Sequence, residues 1–336
     1  MSPTLALHPS EPKPRLRDPA RALLSVEDLV VRFATRHGVV HAVDHISLDL
    51  QPSETLAIVG ESGSGKSTMA KAVMGLLPNA RGTIRFQNKN ILETGGEDLR
   101  RLRPHLQMIF QDPIASLNPR RRIEELIAQG LRIWPELLQG DERSEVDRLL
   151  REVGMNPDVV RGRRVSEFSG GQCQRIAIAR VLAMRPQLVV CDEPVSALDV
   201  SVQAQILNLL RRMKAQYGLT MLFISHDLGV VRNITDRIAV MYLGRICEIG
   251  SADQVFSRPA HPYTRLLLDS VPKMAPRGPV ATVQASEQPS PFAPPSGCRF
   301  RGRCPHAQAI CAEKAPPLLQ IGADQQAACH FPLTRS

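Results

Sequence analysis

Aromatic residues are scarce in the 336-residue sequence, at 4%, with one tryptophan and three tyrosines. Because single-stranded nucleic acid is usually held by stacking bases on aromatic rings, this scarcity argues against such a binding platform. No apolar run approaches the about 20 residues that a membrane-spanning helix needs. Residues 1–21 are rich in proline and charge and lack the apolar centre of a secretory signal. We therefore expect a protein kept in the cytosol that serves a membrane only by docking to another protein.

Hydrophobic residues make up 43% of the chain, enough for a sizeable core, and charged residues 22%. The formal net charge of +9 fits either contact with phosphates or an anionic surface, or plain solubility. Composition alone does not choose between these interpretations.

Strand-like and helix-like segments alternate along the chain, which predicts a mainly parallel sheet with helices on both faces. Residues from about 112 to 168 are polar with helical spacing, which predicts a helical insert. A proline-rich stretch at 272–295 is typical of a linker. The predicted strands lie at 25–33, 45–50, 55–59, 188–191 and 221–224, the helices at 67–77, 123–133, 146–153, 173–184 and 200–217, and a hairpin at 238–249.

A glycine-rich loop follows the third of these strands and precedes a helix. It fits the pattern G-x-x-x-x-G-K-[ST], whose backbone N–H groups point at phosphate oxygens. Lys66 can bridge the β- and γ-phosphates and Ser67 can hold Mg²⁺. The alternative is a simple Gly/Ser-rich turn, which the strand and helix on either side disfavour. The loop comprises Gly60, Glu61, Ser62, Gly63, Ser64, Gly65, Lys66, Ser67 and Thr68.

Two carboxylates end the apolar strand at 188–191. Asp192 is placed to bind Mg²⁺, and Glu193 can polarise an attacking water as a general base. A helix-capping acid pair would give the same sequence. The phosphate loop favours the catalytic interpretation.

A second loop of the phosphate-holding kind precedes the helix at 173–184. One nucleotide rarely needs two such loops from one subunit, so a head-to-tail dimer is the simplest explanation. An ordinary helix N-cap is the local alternative. This loop comprises Ser169, Gly170, Gly171 and Gln172.

Taken together, these motifs resemble an ABC-transporter nucleotide-binding subunit, in the family's order over residues 23–255. The resemblance implies that Gln111 senses Mg²⁺ and the attacking water, that His226 contacts the γ-phosphate and holds Glu193, and that Phe33 stacks on adenine. Phe168 stands where the signature motif of this family more often has leucine. The matching segments are the Walker A loop (60–68), the Q-loop (109–112), the signature motif (168–172), the Walker B strand (188–193), the D-loop (196–199) and the switch histidine segment (224–227).

Four cysteines crowd the C-terminus, at Cys298, Cys304, Cys311 and Cys329. In a cytosolic protein disulfides are rare, so a metal or iron–sulfur site is one interpretation and four unrelated buried thiols the other. The spacing lacks the C-x₂-C steps of a zinc ribbon. The segments 261–264 and 297–305 resemble the C-terminal extension of dipeptide/oligopeptide importer ATPases, which implies a [4Fe–4S] cluster, with zinc second. The remaining cysteines (173, 191 and 247) are expected in the core.

The resemblance implies an α/β P-loop NTPase (RecA-like) core with an antiparallel β edge subdomain, a helical insert and a small Cys-rich extension. The expected divisions are a disordered tail at 1–22, a nucleotide-binding domain at 23–255 with a helical subdomain at about 112–178, and an extension at 256–336. We expect an ATP- and Mg²⁺-dependent ATPase that powers import of peptides or similar small solutes.

The resemblance implies three kinds of partner: a second ATPase subunit, expected to be a paralogue, two transmembrane permeases and, indirectly, an extracytoplasmic solute-binding protein. It also implies a place at the cytoplasmic face of the bacterial inner membrane. No nucleic acid is expected as a partner. The alternatives are a soluble ABC ATPase of DNA repair or translation, and a nucleic-acid module at 297–336. The first usually carries a long coiled coil or two ATPase cores, and neither pattern is present. The second predicts salt-dependent nucleic-acid binding.

Overall fold

The structure is a computed structural model that describes residues 21–270, 289–290 and 292–333. The tail predicted at 1–22 and the linker predicted at 272–295 lie mostly outside the described residues. Among the described residues, no helix combines the length and apolar character needed to cross a bilayer.

An eight-stranded sheet forms the centre of the molecule, in the order β11-β12-β10-β9-β3-β8-β7-β6. The five strands from β9 to β6 are parallel, and their carboxyl ends share one edge of the sheet. β3, β7 and β8 are buried throughout, as expected for parallel strands covered on both faces. The strands are β3 Thr55–Val59, β6 Leu106–Ile109, β7 Leu188–Asp192, β8 Thr220–Ser225, β9 Arg237–Tyr242, β10 Arg245–Ser251, β11 Leu319–Gly322 and β12 Gln325–Ala327.

A second sheet, entirely antiparallel, has the order β2-β1-β4-β5. The buried apolar residues of β1 and β4 lie on the face of this sheet that packs against the helix at 66–73 and the main sheet. Its strands are β1 Leu24–Thr35, β2 Gly38–Leu50, β4 Ala80–Phe86 and β5 Lys89–Asn90.

Helices cover the sheets and fill the segment between β6 and β7. Predicted helices at 123–133 and 200–217 are confirmed at the same bounds, whereas the helix predicted at 67–77 ends at Val73, four residues early. Gly218, in the left-handed conformation, ends α8. The helices are α1 Lys66–Val73, α2 Gly96–Leu102, α3 Pro113–Ser116, α4 Ile123–Ile133, α5 Glu142–Glu152, α6 Pro157–Val160, α7 Gly170–Leu182, α8 Val200–Tyr217, α9 Leu228–Val231, α10 Ala252–Ser257, α11 Pro262–Ser270 and α12 Ala309–Glu313.

The C-terminal residues continue the main sheet. β12 pairs with β10, at Glu248 opposite Ala327, and β11 pairs with β12. Phe300 is buried against Tyr242 of β9 and Tyr263 of α11, with ring centroids 5.4 and 5.3 Å away. The predicted C-terminal extension therefore packs, through Phe300, on the same hydrophobic core as β3, the strand that leads into the glycine-rich loop at 60–68.

Candidate functional site

The phosphate loop links β3 to α1 at the carboxyl edge of the parallel strands. Gly65 has φ +103°, and a Cβ there would lie 1.9 Å from the carbonyl oxygen of Ala42. Gly60 has φ +157°, and a Cβ there would lie 2.1 Å from the carbonyl oxygen of Met241. Only glycine fits this backbone at either position. The loop is thus pressed closely against neighbouring strands.

Lys66 lies folded along the loop rather than in solvent. Its Nζ donates to the carbonyl oxygens of Gly60 and Glu61, at 2.8 Å each, and burial lowers its pKa. The nearby carboxylates of Glu193 and Asp192 act in the opposite direction. The ammonium is therefore already held inside the curl of the loop, where a phosphate would meet it.

Asp192, at the end of β7, contacts the first turn of α1. The hydroxyl of Ser67 donates to its Oδ1 at 2.8 Å. Burial is the main cause that raises the pKa of Asp192, and the neighbouring Glu193 adds to it. Ser67 and Asp192, two of the three predicted Mg²⁺ ligands (the third is Gln111), lie 125 positions apart in sequence but are adjacent in the fold. Mg²⁺ prefers oxygen ligands, and the Ser67 hydroxyl and the Asp192 carboxylate supply two. A divalent cation bound there would favour the ionised form of Asp192.

Glu193 contacts the other two side chains that were predicted to be catalytic, those of His226 and Gln111. Its Oε2 lies 3.1 Å from Nδ1 of His226 and accepts from Nε2 of Gln111 at 3.4 Å. The residue adopts φ +47°, a conformation that is uncommon outside glycine and costs backbone energy. Glu193 is 13% exposed and His226 53% exposed, so the carboxylate is shielded while the imidazole faces outward. The structure thus brings Gln111, Glu193 and His226 together.

The segment Ser169–Gln172 caps α7. The Ser169 hydroxyl accepts from the Gln172 N–H, and the Gln172 side chain accepts from the Ser169 N–H, which is a capping box. The N-cap interpretation is therefore confirmed locally. Within the described part of this single chain, no hydrogen bond joins this segment to the phosphate loop. Ser169 and Gln172 are exposed, so they remain available to another chain.

Phe33 lies near the outer end of β1, where it pairs with Val40 of β2. Its ring is partly buried against the core of the antiparallel sheet. The position leaves part of the ring accessible, as stacking on a base requires. Adenine stacking by Phe33 stays a prediction.

Cys298, Cys304, Cys311 and Cys329 line one small cavity, together with His306 and His330, and none forms a disulfide. Burial raises the pKa of Cys298 and of Cys304, and raises that of Cys329 to about 11. Yet no group of three or more His, Cys, Asp or Glu in the described ranges is arranged to hold a metal ion. The structure supports convergence of the thiols but does not support the iron–sulfur assignment. The remaining cysteines are buried, as predicted.

Two residues that sequence reasoning missed contact the phosphate loop from the C-terminal region. Arg303 donates from Nη1 and Nη2 to the two carboxylate oxygens of Glu61, at 2.8 and 2.9 Å. Tyr263 accepts the backbone N–H of Glu61 at its hydroxyl, at 2.9 Å. Arg303 lies 242 positions from Glu61, and nothing in the sequence around either residue indicates the other.

Comparison with known protein families matches residues 43–196 to the ABC transporter family and residues 247–311 to the C-terminal region of oligopeptide/dipeptide transporters. The first match runs through the phosphate loop and the Walker B strand. The second includes three of the four C-terminal cysteines.

Two similar solved structures give the fold. The ATP-binding cassette MJ0796, a dimer bound to ADP and Pi, has a TM-score of 0.61 and 24% identity, covering 68% of this chain and 98% of its own. CbiO1 from Clostridium perfringens, part of the ABC transporter complex cbiONQ, has a TM-score of 0.61 and 28% identity, covering 71% and 92%. The predicted P-loop NTPase fold is confirmed at this level.

Similar proteins extend over almost the whole chain. The oligopeptide transport ATP-binding protein OppF of Salmonella typhimurium is 46% identical over 311 residues, covering 89% of this chain and 93% of the relative. AppF of Bacillus subtilis, also an oligopeptide transport ATP-binding protein, is 45% identical over 303 residues, covering 89% and 92%. These relatives support the transporter interpretation over DNA repair or translation. The chain therefore belongs to the ABC transporter family, as one of its ATP-hydrolysing, ATP-binding subunits with the C-terminal region of oligopeptide/dipeptide transporters.

Proposed function

We propose that this chain hydrolyses ATP to drive import of oligopeptides or dipeptides through a membrane transporter. The observation that carries the proposal is the meeting of three elements at one edge of the sheet. Ser67 of the phosphate loop touches Asp192, and the next residue, Glu193, is held by Gln111 and His226. The peptide class rests on the similar proteins named above.

Nucleotide binding is assigned to the phosphate loop and Phe33. The backbone N–H groups of the loop and the amino end of α1 would hold the phosphates. Lys66 would exchange its two loop carbonyls for phosphate oxygens, which are better partners for an ammonium. Ser67, Asp192 and Gln111 would hold Mg²⁺, which neutralises charge on the phosphate oxygens when bound.

Hydrolysis is assigned to Glu193. Its carboxylate would accept a proton from the attacking water as the water oxygen approaches the γ-phosphorus. The hydrogen bonds from Gln111 and His226 fix the carboxylate in one orientation. His226 would also donate to the γ-phosphate. The orientation of Glu193 would therefore depend on whether the γ-phosphate is bound. Gln111, at the end of β6, would pass that state to a membrane subunit.

The second phosphate-holding loop implies a second subunit. In a head-to-tail dimer, the segment Ser169–Gln172 of the opposite chain would complete the site, with Gly170 and Gly171 beside the phosphates. We expect that opposite chain to be a paralogue. We assign residues 23–255 to the nucleotide-binding domain. Within it, a helical subdomain spans about 112–178 and the antiparallel sheet forms an edge subdomain. Residues 256–336 form the extension.

Coupling to transport would require two transmembrane permeases and an extracytoplasmic solute-binding protein, with this chain peripheral at the cytoplasmic face of the inner membrane. The test is reconstitution with the partner permeases in liposomes. We expect ATP hydrolysis to rise several-fold when peptide-loaded binding protein is added. Equal stimulation by binding protein without peptide, or by a nickel chelate alone, would contradict a peptide importer.

We further propose that the four C-terminal cysteines hold a [4Fe–4S] cluster as a structural clip, with zinc as the second candidate. The cluster assignment comes from the family resemblance of residues 297–305. All four thiols line one cavity, but among the described residues they are not arranged around a metal ion. Protein purified without oxygen should contain iron and show a broad visible absorbance, both lost in Cys304→Ser. Cys191→Ser, which removes a buried thiol from β7, is the control and should keep both. An iron-free wild type containing stoichiometric zinc would select the second candidate, and a metal-free one would contradict both.

A further inference from the structure

Glu61 is a phosphate-loop residue whose side chain is held by the C-terminal region. Both carboxylate oxygens accept from the Arg303 guanidinium, in the two-pronged geometry that gives charge-assisted pairs their strength. The Arg303 side chain is only 12% exposed and that of Glu61 27%, so solvent screens this pair less than a surface ion pair. The Glu61 N–H is held as well, by the Tyr263 hydroxyl.

The placement of Arg303 is itself determined by packing. Its guanidinium carbon lies 5.9 Å from the ring centre of Tyr242 and 5.8 Å from that of Phe300. Both rings are buried, and Phe300 belongs to the same turn as Arg303, which we call the C-terminal turn (residues 298–304). A guanidinium held over two aromatic rings has little freedom to leave the carboxylate.

The turn that carries Arg303 also joins two of the cysteines. The Arg301 N–H donates to the Cys298 carbonyl at 3.1 Å, and the Cys304 N–H to the Arg301 carbonyl at 3.3 Å. Between them, the Arg303 N–H donates to the Phe300 carbonyl at 3.0 Å. Any change that separates Cys298 from Cys304 must therefore open the turn and displace Arg303.

We propose that Arg303 and Tyr263 are positioning residues for the phosphate loop, through which the folded state of the four-cysteine segment sets the affinity for ATP. The inference rests on the proposed function, since it concerns the same nucleotide site. Pairing with Arg303 neutralises a carboxylate that would otherwise repel the triphosphate, and the Tyr263 contact limits the conformations of the loop before ATP arrives. Neither residue touches the reacting atoms.

The test compares Arg303→Met with Arg301→Met by calorimetry of ATP binding without hydrolysis. Both variants remove one guanidinium from the same turn, but the Arg301 guanidinium donates to the Ser296 hydroxyl, and among the described residues it makes no hydrogen bond to the phosphate loop. We expect ATP affinity to fall about tenfold in Arg303→Met, the size of one charge-assisted hydrogen bond. We expect no change in Arg301→Met, and an intermediate loss in Arg303→Lys, which keeps the charge but loses the two-pronged geometry.

In the reconstituted transporter the loss should appear in KM for ATP with kcat retained, because Arg303 acts on binding. Tyr263→Phe, which keeps the ring and removes the acceptor, should shift KM in the same direction. Equal ATP affinity in Arg303→Met and Arg301→Met, with both melting as the wild type, would overturn the proposal. Absence of ATP binding by the wild type would instead overturn the proposed function.

The link to the cysteines has its own test. Cys304→Ser should weaken ATP binding in the wild-type background and have no further effect in the Arg303→Met background, because both substitutions act through one contact. Additive losses would show that the cysteine segment does not act through Arg303 and would contradict this part of the proposal.

Discussion

Glu193→Gln is expected to retain ATP while hydrolysing it about 10²–10⁴-fold more slowly than the wild type, the usual effect of removing a general base. The amide is nearly isosteric with the carboxylate, so it can still accept hydrogen bonds from Gln111 and His226 at one oxygen. It cannot take a proton from water at neutral pH. Binding should persist because no phosphate-holding group is altered.

Single-turnover hydrolysis and equilibrium ATP binding, measured on the same preparation, separate the two effects. Glu97→Gln is the control, since that carboxylate lies on α2 and pairs only with surface arginines. It should match the wild type in both assays. Hydrolysis by Glu193→Gln within a few-fold of the wild-type rate would show that Glu193 is not the base.

Lys66→Ala should lower ATP affinity by about 10²-fold, the loss expected when a buried ammonium no longer offers charge-assisted hydrogen bonds to phosphate. The substitution also frees the carbonyl oxygens of Gly60 and Glu61, which Lys66 now satisfies. Removal of the Lys66 side chain leaves room for water to bind these carbonyls, so the fold should survive. Hydrolysis at moderate ATP concentrations should be lost with binding.

Calorimetric titration with ATP measures this loss, and the melting temperature checks the fold. Lys89→Ala removes an exposed ammonium from β5 and should leave ATP affinity unchanged. An affinity for Lys66→Ala equal to that of Lys89→Ala would contradict the assignment of residues 60–68 as the phosphate loop.

Local patterns account for the elements that the sequence predicted well. The α8 helix begins and ends where predicted because its apolar spacing is regular and Gly218 stops it. β3 was predicted to the residue, since a short apolar run before a glycine-rich loop has few other interpretations. By contrast, α1 is shorter than predicted. After Val73 the chain turns at Gly75, whose φ of +64° breaks the helix before Pro78 does.

Contacts between distant segments account for what the sequence did not predict. β12 is three residues long, with no pattern of its own, and exists because β10 offers it an open edge. The Arg303–Glu61 pair depends on packing of the C-terminal turn against β9 and α11, which no local signal encodes. For the same reason, the number of cysteines could suggest a metal site but could not show how the four thiols are arranged.

Of the three side chains that meet at Glu193, Glu193 itself was indicated by its local sequence, whereas Gln111 and His226 were indicated only by the family resemblance. A lone glutamine or histidine carries no signal, and Gln111 and His226 approach Glu193 because β6 and β8 flank β7 in the sheet. Ser169 shows the opposite case. Its local role as an N-cap is visible in one chain, whereas a role in holding phosphate needs a second chain.

The proposed mechanism requires two phosphate-holding loops, one from each subunit, to close on the same ATP. The most direct measurement is a structure of the transporter carrying Glu193→Gln and loaded with ATP and Mg²⁺. We predict that the Ser169 hydroxyl lies within hydrogen-bond distance, about 3 Å, of the γ-phosphate held by the phosphate loop of the opposite ATPase subunit. An ATP bound by one phosphate loop, with no Ser169 from the opposite subunit beside it, would contradict the account.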